Sequence, residues 1–496
     1  MKLPRMKRFG ALLFCGLVFF ATLARAEDDL HPKIDAILRN SRLEGTRFGI
    51  RVIHLPAHTG GLYRPEGEVL YSYRADELYA AASNTKLFAT SAALVRLGPD
   101  YEFKTRIYAR GKIEKGVLQG DLIILGAGDP NISGRFHQGN TLAIPRRWAK
   151  ATRARGIKKI TGSIIADDRF FDRIATHPKW PSEELSYWYA APISALSFND
   201  NCLKLIVTPA KSRHVRATVL KSPPTSYVKI KERPRVVAEG SSSLVIYRLP
   251  RTNTVGVGGE IPIGSSPVSL WVTVHNPPLY LATVFREELE RSGVEVAGQV
   301  RLVEQNEQID YKRLALISEH KSTLAQSIEI ANKRSQNFYS EQILKTLGKE
   351  IKGKGSWLAG IRAVADFLEE LGIEPGSYQM VDGSGLAREN EFSPLQITTL
   401  LKFMAAEEFG QTWKESLSSA GVDGTLRNRL RRRPYKGRIL GKTGTADEIS
   451  TLSGYVNTLS GETLAFSFLF NDFEGSSQPI KAIEDQILQV LVQWRP

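Results

Sequence analysis

The chain has 496 residues, with 67 Lys and Arg against 52 Asp and Glu, a formal charge of +15. Hydrophobic residues make up 42%, enough for a sizeable core, and the length suits two or three domains. Two cysteines are too few for a disulfide-built scaffold. No His, Cys and carboxylate cluster has metal-ligand spacing, so neither a metal nor a cofactor is expected.

The N-terminus reads as an export signal, not as part of the fold. Lys2, Arg5, Lys7 and Arg8 form a basic region, ALLFCGLVFFATL an apolar core, and Ala24-Arg25-Ala26 an A-x-A cleavage site. The apolar run is short for a membrane span. Cys15 follows Phe14, which does not suit a lipoprotein signal, and it leaves with the peptide. Cleavage of residues 1–26 removes five basic residues and no acidic ones, lowering the charge from +15 to +10. Cys202 is then the only cysteine, and no intrachain disulfide can form. The expected location is the periplasm, with a Gram-positive surface as the alternative. An exported basic chain without a nucleic-acid motif argues against nucleic acid as a partner. It suits an anionic wall or membrane surface, or a charge that serves solubility alone; peripheral membrane association and oligomer formation stay open.

Along the mature chain, HPKIDAILRNSRL (31–43) predicts an amphipathic helix, and FGIRVIHL and EVLYSYRAD predict strands. Ala80, Ala81 and Ala82 lead into SNTKLFATSAALVRL, whose Leu87, Phe88, Ala92, Ala93, Leu94 and Leu97 recur at helical spacing until Gly98-Pro99 stops them. Residues 100–310 have a different texture. Short alternating strands dominate (LQGDLIILGAGDP, GIKKITGSIIADDRFF, CLKLIVTP, HVRATVLKS, SSLVIYRL, SLWVTVHNP), with one helix, PLYLATVFREELERSG. Leu203, Leu205 and Val207 alternate after Cys202, which therefore reads as a buried structural thiol. KSTLAQSIEIANK, NFYSEQILKTLGKEI, SWLAGIRAVADFLEELG and SPLQITTLLKFMAAEE predict helices. GRILGKTGTA, STLSGYVNTLSG and ETLAFSFLFND are consecutive strands, and PIKAIEDQILQVLVQW is the closing helix. Its Ile480, Ile483, Ile487, Leu488, Leu491 and Trp494 suit packing on a sheet, and its polar face lacks the lysine band of a membrane-surface helix.

Three motifs occur in fixed order: Ser83-Asn84-Thr85-Lys86, Ser335-Gln336-Asn337 and Lys442-Thr443-Gly444. The set S-x-x-K, S-x-N, K-T-G describes a site that forms an acyl-enzyme on serine. Each motif alone is cheap. S-x-x-K recurs at Ser226-Tyr227-Val228-Lys229 and Ser318-Glu319-His320-Lys321, and S-x-N at Ser197-Phe198-Asn199. Chemistry chooses between the copies. A serine hydroxyl needs a base, and residues i and i+3 share a face on a helix but not on a strand. Ser226 lies in a strand-like stretch, and Ser318 sits just ahead of a helix as a capping residue. Ser83 opens a buried helix, where its own backbone N–H is free and the helix dipole favours a developing negative charge.

The chain resembles the class C low-molecular-mass penicillin-binding proteins, the D-alanyl-D-alanine carboxypeptidase/endopeptidase family typified by penicillin-binding protein 4. Beyond the motifs, Gly120-Asp121-Leu122 running to Gly126-Ala127-Gly128-Asp129-Pro130, APISALSFNDN (191–201), Asp382-Gly383-Ser384-Gly385-Leu386 and Gly421-Val422-Asp423-Gly424-Thr425-Leu426 carry the likeness. It places Ser197-Phe198-Asn199 in a structural segment. It implies an α+β fold: a serine β-lactamase/DD-peptidase-like catalytic domain with helices packed on an antiparallel sheet (27–99 and 311–496) and a large β-rich insertion (100–310) forming one or two extra domains. Two positions depart from the usual pattern. Gln336 replaces an aspartate at a position that normally points away from the substrate, and Ala446-Asp447-Glu448 follow K-T-G-T where an apolar residue is commoner.

Resemblance and chemistry together imply the roles. Ser83 is the nucleophile and Lys86 its general base, depressed from about 10.4 by burial and by Lys442. Ser335 relays a proton to the leaving amine. Asn337 holds the substrate amide. Lys442, Thr443 and Thr445 bind the terminal carboxylate, and the N–H groups of Ser83 and Thr445 form the oxyanion hole. Asp167, before Phe170 and Phe171, is either a turn aspartate or the inserted acidic residue that holds the amine of a diamino acid. The implied substrates are peptidoglycan stem peptides, with β-lactams such as penicillin acylating Ser83. A β-lactamase or esterase of the same fold and a non-catalytic wall-binding scaffold are the alternatives.

Overall fold

The computed structural model describes residues 29–55, 68–212 and 215–496. The expected export signal at 1–26, with Cys15 and its cleavage site, lies outside the described residues.

The two ends of the chain share one sheet. Six antiparallel strands run in the order Val69–Tyr73, Arg47–Leu55, Thr463–Asn471, Ile449–Asn457, Ile439–Ala446, Ser418–Ser419. Arg47 lies opposite Asn471 and the pairing continues unbroken to Leu55 opposite Thr463. Strand alternation gives this sheet two faces. Phe466, Phe468 and Phe470, with Ile50 and Val52, pack against the helices Leu30–Arg39 and Gln478–Gln493. Ala465 and Leu469, with Ile53, face a second helical layer made by Thr85–Leu97, Leu324–Lys333, Asn337–Lys352, Trp357–Glu370 and Pro394–Ala406. The closing helix is thus core: Ile480, Ile483, Ile487, Leu488, Leu491 and Trp494 are all buried against the sheet. No helix among the described residues is long and apolar enough to cross a membrane.

A buried ion pair pins that helix. Arg429 donates to Glu484 at 2.9 Å and to Asp485 at 2.7 Å. Glu484 is fully buried, and burial pushes its carboxyl upward. Arg429→Met leaves this carboxylate with only the Ser450 hydroxyl, an uncompensated buried charge expected to cost about 3–5 kcal/mol. Urea unfolding of the variant reads the loss as a lowered midpoint.

Between the first helix and the second motif lies a seven-stranded sheet. It runs Glu295–Val296, Lys159–Ile160, Val117–Leu125, Glu102–Glu114, Ala315–Thr323, with Ile164–Asp167 joining Val117–Leu125 to Val300–Leu302. Lys115 and Gly116 both take positive φ in the two-residue turn between its longest strands, the turn that matches strand twist. A three-stranded sheet, Val268–Thr273, Cys202–Thr208 and Thr218–Ser222, packs beside it. Cys202 is buried, and burial raises its thiol well above the usual range.

Three features differ from the sequence reading. The region holds a second helix, Ala143–Ala154, whose Ile144, Trp148 and Thr152 face the core while Arg146, Arg147 and Lys150 face solvent. Trp148 packs edge-on against Phe285 of Pro277–Arg291. Glu102–Glu114 is a full strand, despite its charged outer face. Ser318 is no cap: it sits inside the strand Ala315–Thr323, and Thr323 caps the helix that follows, with Gln326 completing the capping box.

Candidate active site

Ser83 lies in one turn of 3₁₀-helix, Ala82–Asn84, that continues into the helix Thr85–Leu97. Three contacts fix this turn. Thr451 Oγ1 donates to the Ala81 carbonyl at 3.1 Å, and Asn84 Nδ2 to Ser453 Oγ at 3.1 Å, so the sheet holds it from one side. Gly385 presses from another: a Cβ there would stand 1.8 Å from the Ala82 carbonyl. Every residue from Thr85 to Leu94 is buried, while Ser83 is half-buried at the surface end.

Lys86 sits one turn behind Ser83 with no solvent exposure. Its Nζ lies 2.9 Å from Ser83 Oγ, 2.7 Å from Asn337 Oδ1 and 2.6 Å from the Ser384 carbonyl. Asn337 Nδ2 donates to the Tyr189 carbonyl at 2.9 Å, which fixes the amide with its oxygen toward Lys86. Two of the three neighbours therefore only accept. A neutral amine gives its two N–H groups to them and directs its lone pair at the one neighbour that can donate, the Ser83 hydroxyl.

The other half of the site is a second chain of contacts. Lys442 Nζ, also fully buried, donates to Ser335 Oγ at 2.8 Å and to the Thr443 carbonyl at 2.6 Å. Ser335 links the helices Leu324–Lys333 and Asn337–Lys352 with φ of 53°, a left-handed conformation that a serine adopts only under constraint. Thr443 Oγ1 donates to Thr425 Oγ1 at 2.8 Å. Thr445 is exposed further along the strand. Among the described residues, that strand pairs from Lys442 to Ala446 with Ile449–Asn457 alone, because Ser418–Ser419 reaches no further than Gly441. Its other edge is open to an extended peptide.

Burial draws Lys86 down to about 7, while the carboxylates of Asp382 and Glu341 pull the other way. Lys442 falls well below its ordinary range, through burial first and through Lys86 second. The expected repulsion between the two amines is thus present and shows on Lys442, while Asp382 and Glu341 offset the cation at Lys86.

Ser83, Lys86 and Asn337 are joined directly, as are Ser335, Lys442 and Thr443. Gln336 points elsewhere, its Nε2 3.5 Å from Asp200 Oδ2, a carboxylate paired with Arg135. Asp447 is exposed and meets Arg388 at 3.4 Å. Asp167 fits the first of its two readings, a turn aspartate. Its buried carboxylate is held by Arg169 at 2.6 Å and by the Tyr311 hydroxyl at 2.5 Å, leaving it no free charge for a ligand. The sequence reading gave no role to Ser384, Asp382, Glu341 and Thr425. Asp382-Gly383-Ser384 and Thr425 lay within segments quoted for the family likeness, the only signal available for them; Glu341 left none.

The family model described as "D-Ala-D-Ala carboxypeptidase 3 (S13) family" matches residues 30–493. The chain is 34% identical over 480 residues to a D-alanyl-D-alanine carboxypeptidase of Actinomadura sp. (strain R39), covering 94% of this chain and 85% of the relative. It is 26% identical to the D-alanyl-D-alanine carboxypeptidase DacB of Haemophilus influenzae, covering 82% and 84%. The crystal structure of penicillin binding protein 4 (dacB) from Haemophilus influenzae superposes with a TM-score of 0.80 at 22% identity, over 93% of this chain and 99% of that one. A complex of the same protein with a β-lactam superposes with a TM-score of 0.74. The expected α+β architecture, a DD-peptidase-like domain with extra β-rich parts, is the one observed.

Proposed function

The chain belongs to the D-Ala-D-Ala carboxypeptidase 3 (S13) family, and from that membership we propose that it is a serine D,D-peptidase acting on peptidoglycan stem peptides. The observation that carries the reading is the surround of Lys86, with two acceptor-only partners and a lone pair left for Ser83. Lys86 takes the Ser83 proton as Oγ bonds to the carbonyl carbon of the penultimate D-Ala. The peptide bond then breaks, and Ser335 passes its proton to the departing amine of the last D-Ala and is reprotonated by Lys442. Water then adds to the ester carbon and gives a proton back through Ser335 to Lys442, and Lys86 returns its proton to Ser83 as the acyl–Oγ bond breaks. Thr443 and Thr445 receive the terminal carboxylate, with the Lys442 charge behind them. Crosslinked peptides enter along the same open strand edge, giving endopeptidase action. In this reading residues 27–99 and 311–496 form the catalytic domain and 100–310 the insertion, with Ala315–Thr323 returning through the inserted sheet. Such a substrate is in keeping with a location outside the cytoplasmic membrane, and the periplasm is the one proposed.

The Haemophilus influenzae protein forms a β-lactam complex, and for this chain acylation of Ser83 by β-lactams is proposed. Mass spectrometry after brief benzylpenicillin exposure tests it. A stable penicilloyl group on the Ser83 peptide is expected. Intact drug without adduct points to a scaffold, and hydrolysed drug without adduct to a β-lactamase.

Gly444 gives a second test. A Cβ there would stand 3.0 Å from the Ser83 nitrogen and 2.2 Å from Thr451 Oγ1, crowding the proposed oxyanion hole. Gly444→Ala should slow acylation by about 10²–10³-fold, the effect of losing one oxyanion donor. Stopped-flow measurement with a chromogenic β-lactam reads it.

A further inference from the structure

Two buried carboxylates stand behind Lys86. Asp382 and Glu341 have no solvent exposure. Both grip the turn that carries the Ser384 carbonyl. Asp382 accepts from the backbone nitrogens of Ser384 at 3.2 Å, Gly385 at 2.7 Å and Ala387 at 2.8 Å, and from Asn390 Nδ2 at 2.9 Å. The indole of Trp180, from the inserted segment, donates to it at 3.0 Å. Glu341 accepts the Gly383 nitrogen on both oxygens, at 3.1 and 3.0 Å, and the Trp357 indole at 2.7 Å. Ser340 Oγ holds the Gly383 carbonyl at 2.6 Å. The Ser384 carbonyl that results is one of the two acceptor-only partners of Lys86.

We propose that Glu341 and Asp382 are positioning residues of acyl transfer: they fix the Ser384 carbonyl so that Lys86 faces Ser83, and their charge sets how readily Lys86 releases its proton. The inference rests on the acyl-transfer reading above. A turn needing only rigidity would be served by neutral acceptors, without the burial of two charges of the same sign. The charge has a local recipient. Lys86 feels both carboxylates. The other groups facing this pair are Lys345, one turn along the Glu341 helix and committed to Asp172 at 2.7 Å, and His177, beside Asp382. Lys442, on the far side of Lys86, is bonded to Ser335 and Thr443 instead. Burial first and Asp382 second push the Glu341 carboxyl upward, toward the range in which Lys86 titrates.

The test is the pH dependence of Ser83 acylation by benzylpenicillin in the full mature chain, from acid to mildly alkaline pH. Glu341→Gln keeps an acceptor for Gly383 and Trp357 but removes the charge. Lys86 then loses an anion that held its proton, and the acidic limb should move down by about one pH unit. Trp357→Phe removes a donor that favours the charged carboxylate, so the limb should move the same way by less. With a peptide substrate, kcat should change and KM hold. A Glu341→Gln protein that folds, forms the adduct and keeps the wild-type midpoint overturns the inference alone. Where Glu341→Gln does not fold, an unmoved midpoint in Trp357→Phe overturns it. A wild-type chain without a Ser83 adduct overturns the acyl-transfer reading, and the inference with it.

Discussion

Ser83→Ala is expected to lose the penicillin adduct and D-Ala release together, a fall on the order of 10⁴–10⁶ in kcat, with the fold intact. The size follows from chemistry: among the described residues it is the Ser83 hydroxyl that stands 2.9 Å from the depressed amine of Lys86. The harmlessness to folding follows from contacts. Ser83 Oγ is half-buried at the helix end and bonded to Lys86, which keeps Asn337 and Ser384 when the hydroxyl goes. The stability change should stay within about 1 kcal/mol, the worth of one ordinary hydrogen bond. Ser335→Ala is the informative contrast. It leaves the nucleophile and base in place and removes the relay, so a smaller loss of about 10²–10⁴ is expected, concentrated in peptides, whose poor leaving amine needs a proton. Penicillin, whose leaving nitrogen stays tethered in its ring system, should suffer less. Rates of D-Ala release and of adduct formation, measured side by side, separate the two residues. Equal losses for both substrates in Ser335→Ala would remove the relay role.

Much of the site was legible because its motifs are local. Ser83 and Lys86 meet through helical spacing alone, and Lys442-Thr443-Gly444 through the strand that presents them. Their joining was not legible: Lys86 meets Asn337 across 251 positions and Ser335 meets Lys442 across 107, separations that only the packed sheet and helices bridge. The electrostatics escaped for the same reason. Nothing in the sequence places Glu341, four residues after Asn337, beside Asp382. Asp167 stayed open between two readings because a carboxylate after a strand looks free until its partners appear, and Tyr311 lies 144 residues away. The helix Ala143–Ala154 is obscured by Pro145 and a run of basic side chains, though Ile144, Trp148 and Thr152 keep the four-residue spacing that marks its buried face. In the six-stranded sheet the alternating phenylalanines of Thr463–Asn471 announced the strand, but not that helices would cover both of its faces or that Arg47–Leu55 would pair beside it.

Acylation should rise with pH through about 7 and then level, and Lys86→Met should abolish the rise. The base must be neutral to accept the Ser83 proton, and burial brings Lys86 down to about 7. Below that pH the reactive fraction falls about tenfold per unit, so the acid limb has unit slope. Lys86→Met should lower the plateau by about 10²–10⁴ and leave a flat profile. Stability supplies an independent check with a definite sign. The unfolded lysine titrates at 10.5 and the folded one at about 7. Between these values the unfolded chain binds more protons than the native one, so this residue makes wild-type stability rise with pH across that window. Methionine has no such dependence. The part of the difference in unfolding free energy between Lys86→Met and wild type that comes from this titration should therefore favour the variant most at and below pH 7. It should shrink by about 1.4 kcal/mol for each pH unit toward 10.5. A difference that stays constant across this window would mean that Lys86 remains protonated in the folded chain, and the general base would have to be sought elsewhere.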